Sequence, residues 1–312
     1  MKRISVQTTI VLVIMLSLFS CKEESKKIRI GILPVIDTLP LAAAEAEGIF
    51  KDEGLDVELV MFNSALERDA AFTAGTLDGA FGDIINFFLM IKTGIDTKIV
   101  CESYHTSDRS AMFGLLASPV SSIKSINDIK KESIAISRGT IIEFFLDQIA
   151  ASHNISPDSL NKLEVKAIPV RYQMLISGSV KLALLPEPLL SKGIKDGARL
   201  IADDRGLDTT ATIIMFKSDF LDQNEKLTEK FITAYNKSVK TINSNPEKFK
   251  DLMSSKLRLP GDIKDTFKVP VFNEAALPEE KDVMLVYNWM KKNGMISIPA
   301  DYKKLVRPIE KK

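Results

Sequence analysis

Apolar and polar positions follow a recurring rhythm along the chain. Ile28, Ile30 and Ile32 alternate with Arg29 and Gly31, the two-residue period of a strand, and Pro34 ends it. Ala42, Ala43, Ala46, Ile49 and Phe50 then recur at helical spacing across Leu39–Phe50, until Gly54 breaks the chain. Val57–Phe62 reads as a strand, Ala65–Ala74 as a helix closed by Gly75, and Asp78–Phe81 as a short strand. Ile84–Lys92 is an apolar helix, followed by strands at Thr97–Glu102 and Ala111–Ala117. After Pro119 the rhythm restarts. Ser133–Ser137, Leu163–Ile168, Val180–Leu185, Ala198–Ala202 and Ala211–Phe216 read as strands, with helices at Thr140–Ser152 and Val170–Ser177. The remainder is helical at Asn224–Ile242, Pro246–Ser254 and Pro278–Lys292. Such alternation predicts α/β architecture with mainly parallel sheets flanked by helices. The two α/β stretches are similar in kind without a sequence repeat.

The first residues follow another pattern. Lys2 and Arg3 precede the apolar run Ile10–Phe19, which is too short to span a bilayer comfortably and has the form of a secretory signal peptide. Leu18-Phe19-Ser20-Cys21 resembles a bacterial lipobox, in which the cysteine becomes the lipidated N-terminus, although Phe19 departs from the small or aliphatic residue usual there. A plain cleaved signal with a chance cysteine is the alternative. Residues 1–20 are thus expected to be a signal peptide, and 21–26 a lipidated polar tether on Cys21.

Composition sharpens this partition. The chain has 312 residues, 42 Lys+Arg against 41 Asp+Glu, 45% hydrophobic residues, 2 cysteines and 2 histidines. The length suits two domains. Near-zero charge argues against a nucleic-acid surface, and so few Cys and His argue against a zinc cluster or disulfide framework. Cleavage ahead of Cys21 removes Lys2 and Arg3 and no acid, so the net charge passes from +1 to −1. Lipidation of Cys21 would leave Cys101 without a disulfide partner.

Five stretches, in order, resemble bacterial solute-binding proteins of ABC importers. The branch concerned includes binders of aliphatic sulfonates, nitrate, taurine and thiamine-pyrimidine precursors. They are the segment Leu39–Leu59 with its Gly-Ile-Phe-Lys-Asp-Glu-Gly-Leu-Asp-Val core, Ala71–Ala80, Ile123–Lys130 with Ser137-Arg-Gly-Thr140, Leu184–Leu189, and Phe231–Tyr235 with Ile242–Glu247. The resemblance implies a type II periplasmic-binding-protein fold, two α/β lobes with a cleft and two crossover segments. The crossovers are expected near Leu116–Ser121 and Asp204–Ala211, giving lobe 1 as 27–117 plus 212–312 and lobe 2 as 118–211. It also implies a small-molecule ligand, an ABC permease with its ATPase as partners, an extracytoplasmic location on a bacterial membrane through the lipid alone, and a monomer. No cofactor, catalytic residue, metal or nucleic acid is expected.

Ligands of such sheets sit beyond the carboxyl ends of the strands, near helix N-termini. The loops there carry Asp37, Thr38, Ser64 and Asp83 in lobe 1, and Arg138, Gly139, Thr140, Arg171 and Glu187 in lobe 2. Tyr104, in the polar loop after Glu102, could stack on a planar ligand. Thr38, Ser64, Asp83 and Thr140 equally suit helix N-caps, and Arg138 and Arg171 suit structural ion pairs. Asp83 and Glu187 tilt the expectation from a bare anion toward a ligand with donor groups, such as a small nitrogen heterocycle or a zwitterion.

An enzyme on the same fold is the alternative, akin to thiamine-pyrimidine synthases, which use lysine-bound pyridoxal phosphate and a histidine, or to menaquinone-pathway enzymes. The histidines are His105 and His153 alone, and no nucleophile elbow or phosphate-binding loop is present.

Overall fold

The computed structural model describes residues 27–308; the expected signal peptide, the lipobox with Cys21 and the tether (21–26) lie outside the described residues. Two five-stranded sheets organise the chain. The first has the order β2-β1-β3-β10-β4, with β1 Ile28–Ile32, β2 Val57–Met61, β3 Gly79–Asp83, β4 Thr97–His105 and β10 Thr210–Lys217. The second has the order β7-β6-β8-β5-β9, with β5 Phe113–Ala117, β6 Ser133–Ile136, β7 Asn161–Glu164, β8 Leu182–Pro186 and β9 Arg199–Asp203. β3, β5 and β8 are buried along their whole length, as expected where helices cover both faces of a sheet.

The sheets are mixed where mainly parallel ones were expected. β10 runs antiparallel to both β3 and β4, and β5 antiparallel to both β8 and β9. The cause is topological. Strands built within a lobe finish at the cleft, whereas a strand arriving from the other lobe starts there. β5 and β10 are those arriving strands, and each takes the fourth place in its sheet. Phe113–Ala117 therefore belongs to the second sheet, although the boundary at residue 117 had assigned it to lobe 1. The first connection between sheets is residues 106–112, ahead of the expected Leu116–Ser121; the second is 204–209.

Other elements differ in detail. The expected helix over Leu39–Phe50 divides into Leu39–Ala46 and Ile49–Asp52 at Gly48, whose φ of +74° is left-handed. β7 ends at Glu164, ahead of the expected Ile168, because Pro169 is placed in the first turn of the helix Ile168–Ile176.

The chain after β10 covers lobe 1 and also reaches lobe 2. Helix Glu280–Lys292 lies on helix Ile84–Lys92, with Tyr287 and Phe88 rings 5.4 Å apart. On its far side Trp289 meets Phe144 of helix Ile141–Ser152 edge-on at 5.7 Å and donates from Nε1 to Asp147 Oδ2 at 2.9 Å. Elsewhere Asp262 pairs with Lys192 at 3.1 Å, and its carbonyl accepts from Lys195. One apolar core runs through both lobes. Among the described residues no helix is long and apolar enough to cross a membrane, and Cys101 is a buried free thiol.

Candidate ligand cleft

The carboxyl ends of the lobe-built strands converge on the two connections. In lobe 1, Asp37 follows β1 and is buried, with its carbonyl held by the Ser103 hydroxyl at 2.9 Å. Asp83 ends β3 and caps helix Ile84–Lys92, accepting from Asn86 N at 2.8 Å. Thr212 of β10 lies in register with Asp83 on one side and Tyr104 on the other. Its hydroxyl is buried close to the Asp37 carboxyl but forms no well-aligned hydrogen bond. The buried Tyr104 hydroxyl donates to the Ser110 carbonyl at 3.2 Å.

Lobe 2 brings two more carboxyls. Glu187 follows β8 between Pro186 and a cis-linked Pro188, and accepts from the Ser191 amide at 3.0 Å and hydroxyl at 2.6 Å. Asp204 Oδ1 accepts from the Met112 and Phe113 amides at 2.9 and 3.2 Å, while Oδ2 is buried without a partner. Met112 joins the pair, since its carbonyl takes the Glu187 amide at 2.8 Å.

Burial is the main influence on all four acids, because a low-dielectric surrounding disfavours the charged form. Asp37 is raised to about 6 by burial, with the Thr212 hydroxyl pulling it back and the Asp83 charge adding to the rise. Burial raises Asp83 to about 6 against the opposing Asn86 amide and Arg68 guanidinium. Glu187 rises to about 7, opposed by Ser191 and pushed further by Asp204. Asp204 rises to about 7 against the Phe113 and Met112 amides. Tyr104, raised to about 12 chiefly by burial, with the Asp204 and Asp37 charges adding, stays a hydroxyl donor.

Beneath these acids each lobe buries an arginine at the same place. Arg68 is the fourth residue of helix Ala65–Thr73 after β2, and Arg171 the fourth of helix Ile168–Ile176 after β7. Arg68 holds Asp69 Oδ1 through Nε at 2.9 Å and Nη2 at 2.6 Å. Gly31 makes room for its stem, since a Cβ there would stand 3.0 Å from Arg68 Cγ. Arg171 donates to the Leu184 and Val165 carbonyls at 2.8 Å each, its Nη2 is buried without a partner, and burial lowers its pKa to about 10.

The other expected residues serve local structure. Thr38 is fully buried, its hydroxyl turned to the Val35 carbonyl at 2.7 Å. Ser64 caps its helix on Glu67 N, and Thr140 caps the next lobe's helix on Ile142 N. Arg138 is exposed and spans to the Lys162 carbonyl at 2.7 Å. Gly139 has φ +67° and donates to Glu143 at 2.7 Å. Asp204, Thr212 and Arg68 were not anticipated. Asp203-Asp204-Arg205-Gly206 reads as a turn, and Thr212 is embedded in an apolar strand.

His105 links the two connections. Its Nδ1 lies 2.9 Å from Glu102 Oε2 and its Nε2 3.1 Å from Asp208 Oδ1. Thr106 and Thr209 exchange backbone and hydroxyl bonds beside it. A depression of about 230 Å³ opens here, lined by Glu102, His105, Glu274 and Glu279 among others. A broader one of about 490 Å³ lies along β9 and His153, with Asp108 and Arg205 of the two connections in its lining. Among the described residues no group of three or more Cys, His, Asp or Glu is placed to hold a metal.

The two-lobed topology is that of the periplasmic-binding-protein fold. The pattern described as NMT1/THI5 like matches residues 36–249, and the chain belongs to that family. Several solved structures share its fold. The periplasmic aliphatic sulphonate binding protein SsuA of Escherichia coli superposes with a TM-score of 0.77 at 14% identity, covering 90% of this chain and 97% of its own. The ligand binding component of an ABC-type import system from Staphylococcus aureus, solved with zinc bound, gives 0.74 at 18% identity, covering 91% and 97%. The periplasmic nitrate-binding protein NrtA of Synechocystis PCC 6803 gives 0.62 at 16% identity, covering 83% and 75%. At these identities the likeness is one of fold. No curated protein matches the sequence.

Proposed function

We propose that the chain is the extracytoplasmic solute-binding lipoprotein of an ABC importer, anchored through Cys21. It captures a small polar or heterocyclic molecule by closure of two lobes and delivers it to a permease. One observation carries this reading: polar groups of both lobes, with bonding capacity left unused at Thr212 and Asp204, converge where the strand ends meet two short connections. Such an arrangement favours closure because only the closed state lets one ligand satisfy both sets of contacts. The solved ABC-import binding proteins of the same fold support it. Against the enzyme alternative, His105 is occupied by Glu102 and Asp208 in the hinge and is not presented to the cleft as a free base.

Native mass spectrometry of gently purified protein is expected to show a small co-purifying molecule, and scattering to show compaction when it is restored to stripped protein. Absence of compaction with a tightly bound molecule sinks closure. Pyridoxal phosphate is expected to give no aldimine absorbance band; a stoichiometric band would establish the enzyme instead. Radiolabelled palmitate is expected to enter the wild-type chain and not Cys21→Ser.

A further inference from the structure

We infer that the molecule bound in this cleft carries a positive charge, as a protonated amine or amidine, held between Asp37 and Asp83 of lobe 1 and Glu187 and Asp204 of lobe 2. The inference rests on the solute-binding reading and adds the chemical class of the solute. Four buried carboxyls lie at the strand ends beside the two connections, two from each lobe, with Tyr104 in electrostatic reach of both Asp37 and Asp204. The buried arginines cannot neutralise them all. Arg68 gives Nε and Nη2 to Asp69, and Arg171, which keeps its charge and a free Nη2 while bonding the Leu184 and Val165 carbonyls, is one cation against four acids. An ionised carboxylate only accepts hydrogen bonds, so an anionic solute would meet repulsion here unless the acids were protonated. A cation rich in N–H groups satisfies them as they stand.

A second observation concerns a hydroxyl. The Thr212 hydroxyl is buried, with its residue only 5% exposed, and makes no well-aligned hydrogen bond, although it leans on the Asp37 carboxyl. It stands between Asp83 and Tyr104 in register, beside the Asp37 carboxyl. A hydroxyl left unsatisfied at that depth costs stability unless a ligand completes it, and as an acceptor it suits the same N–H donors. The solved relatives named for sulphonate and nitrate take anions on this scaffold, so the charge of the cleft, and not the fold, sets the solute here.

The full-length protein is screened by thermal shift against a metabolite extract split on a strong cation exchanger at pH 7. Agmatine and putrescine serve as defined probes, with methanesulfonate and nitrate as contrasts. Stabilising material is expected to be retained by the exchanger and released by salt. Asp83→Asn keeps the helix cap and Glu187→Gln keeps side-chain size; each is expected to weaken the response about tenfold or more. Raising the pH from 5.5 to 7.5 is expected to strengthen it. Stabilisation by unretained material, methanesulfonate or nitrate, or an affinity that falls as pH rises, overturns the charge assignment and leaves the solute-binding reading standing. Failure of every fraction and probe sinks that reading, and this inference with it.

Discussion

At the scale of single residues, the candidate cleft carries groups whose charge is held in check by burial. Because Asp37, Asp83, Glu187 and Asp204 are raised in the folded protein, the native state holds more protons than the unfolded chain between about pH 4 and 7, and stability falls as pH rises through that window. His105 extends the decline. Its pKa is raised to about 9, first by the bond to Glu102, with Asp208 and Asp282 adding to it and burial opposing; Lys281 faces the same Asp208. The stabilisation is full below about 6.5 and is lost as pH rises through 9. Wild type should lose about 1 kcal/mol between pH 7 and 9, after screening at the exposed Asp208. His105→Asn should show a flat profile there in denaturant titrations; an unchanged slope would assign the effect elsewhere. Asp37, Asp83 and Glu187 stand out in the sequence because they sit at strand ends, whereas Tyr104, expected in a polar loop after Glu102, lies within β4, which runs on to His105. Thr38, Ser64 and Thr140 carry the same signal, yet the structure gives them local bonds, since a residue before a helix serves its backbone first. Asp204 and Thr212 gave no signal because their partners are distant in sequence.

At the scale of elements, most strands and helices were legible from their periodicity, and what one chain could not reveal was pairing. β5 has the same apolar composition whichever sheet it joins, so its place in the second sheet and its antiparallel sense depend on tertiary contacts. Close approach is similarly hidden. Gly79 in β3 faces the Phe216 ring of β10, where an added Cβ would lie 2.6 Å from the nearest ring carbon. Phe216 is fixed by Phe220 and Phe231. Gly79→Ala should therefore cost about 1–3 kcal/mol of stability by overpacking. Gly261→Ala, with open space around it, should change stability by less than about 0.5 kcal/mol. Equal effects in urea unfolding would contradict the close contact.

At the scale of the whole molecule, the lobes meet through more than the two connections. The repeated placement of Arg68 and Arg171, and of Asp83 and Glu187, shows a structural likeness between lobes that the sequence does not display. The segment after β10 then breaks that symmetry. Asp262 reaches Lys192 and Lys195 on one flank, and helix Glu280–Lys292 reaches Asp147 on another. Asp262→Asn is expected to raise the radius of gyration of ligand-free protein and leave its unfolding temperature within a few degrees, since an exposed pair contributes little to stability. An unchanged radius would mean that this contact does not restrain the lobes.

The bridge at Asp147 has an optical consequence. Trp289 is the single tryptophan of the chain, and its indole lies on the boundary between lobes, bonded to a carboxylate and edge-on to Phe144. Tryptophan emission from the unlabelled protein therefore comes from one indole at this contact between lobes. Parting of the lobes should expose that indole to water and red-shift its emission, so each solute can be scored in a cuvette by the colour of the native protein's own fluorescence. Constant emission through a scattering-verified closure would show that helix Glu280–Lys292 travels with lobe 2.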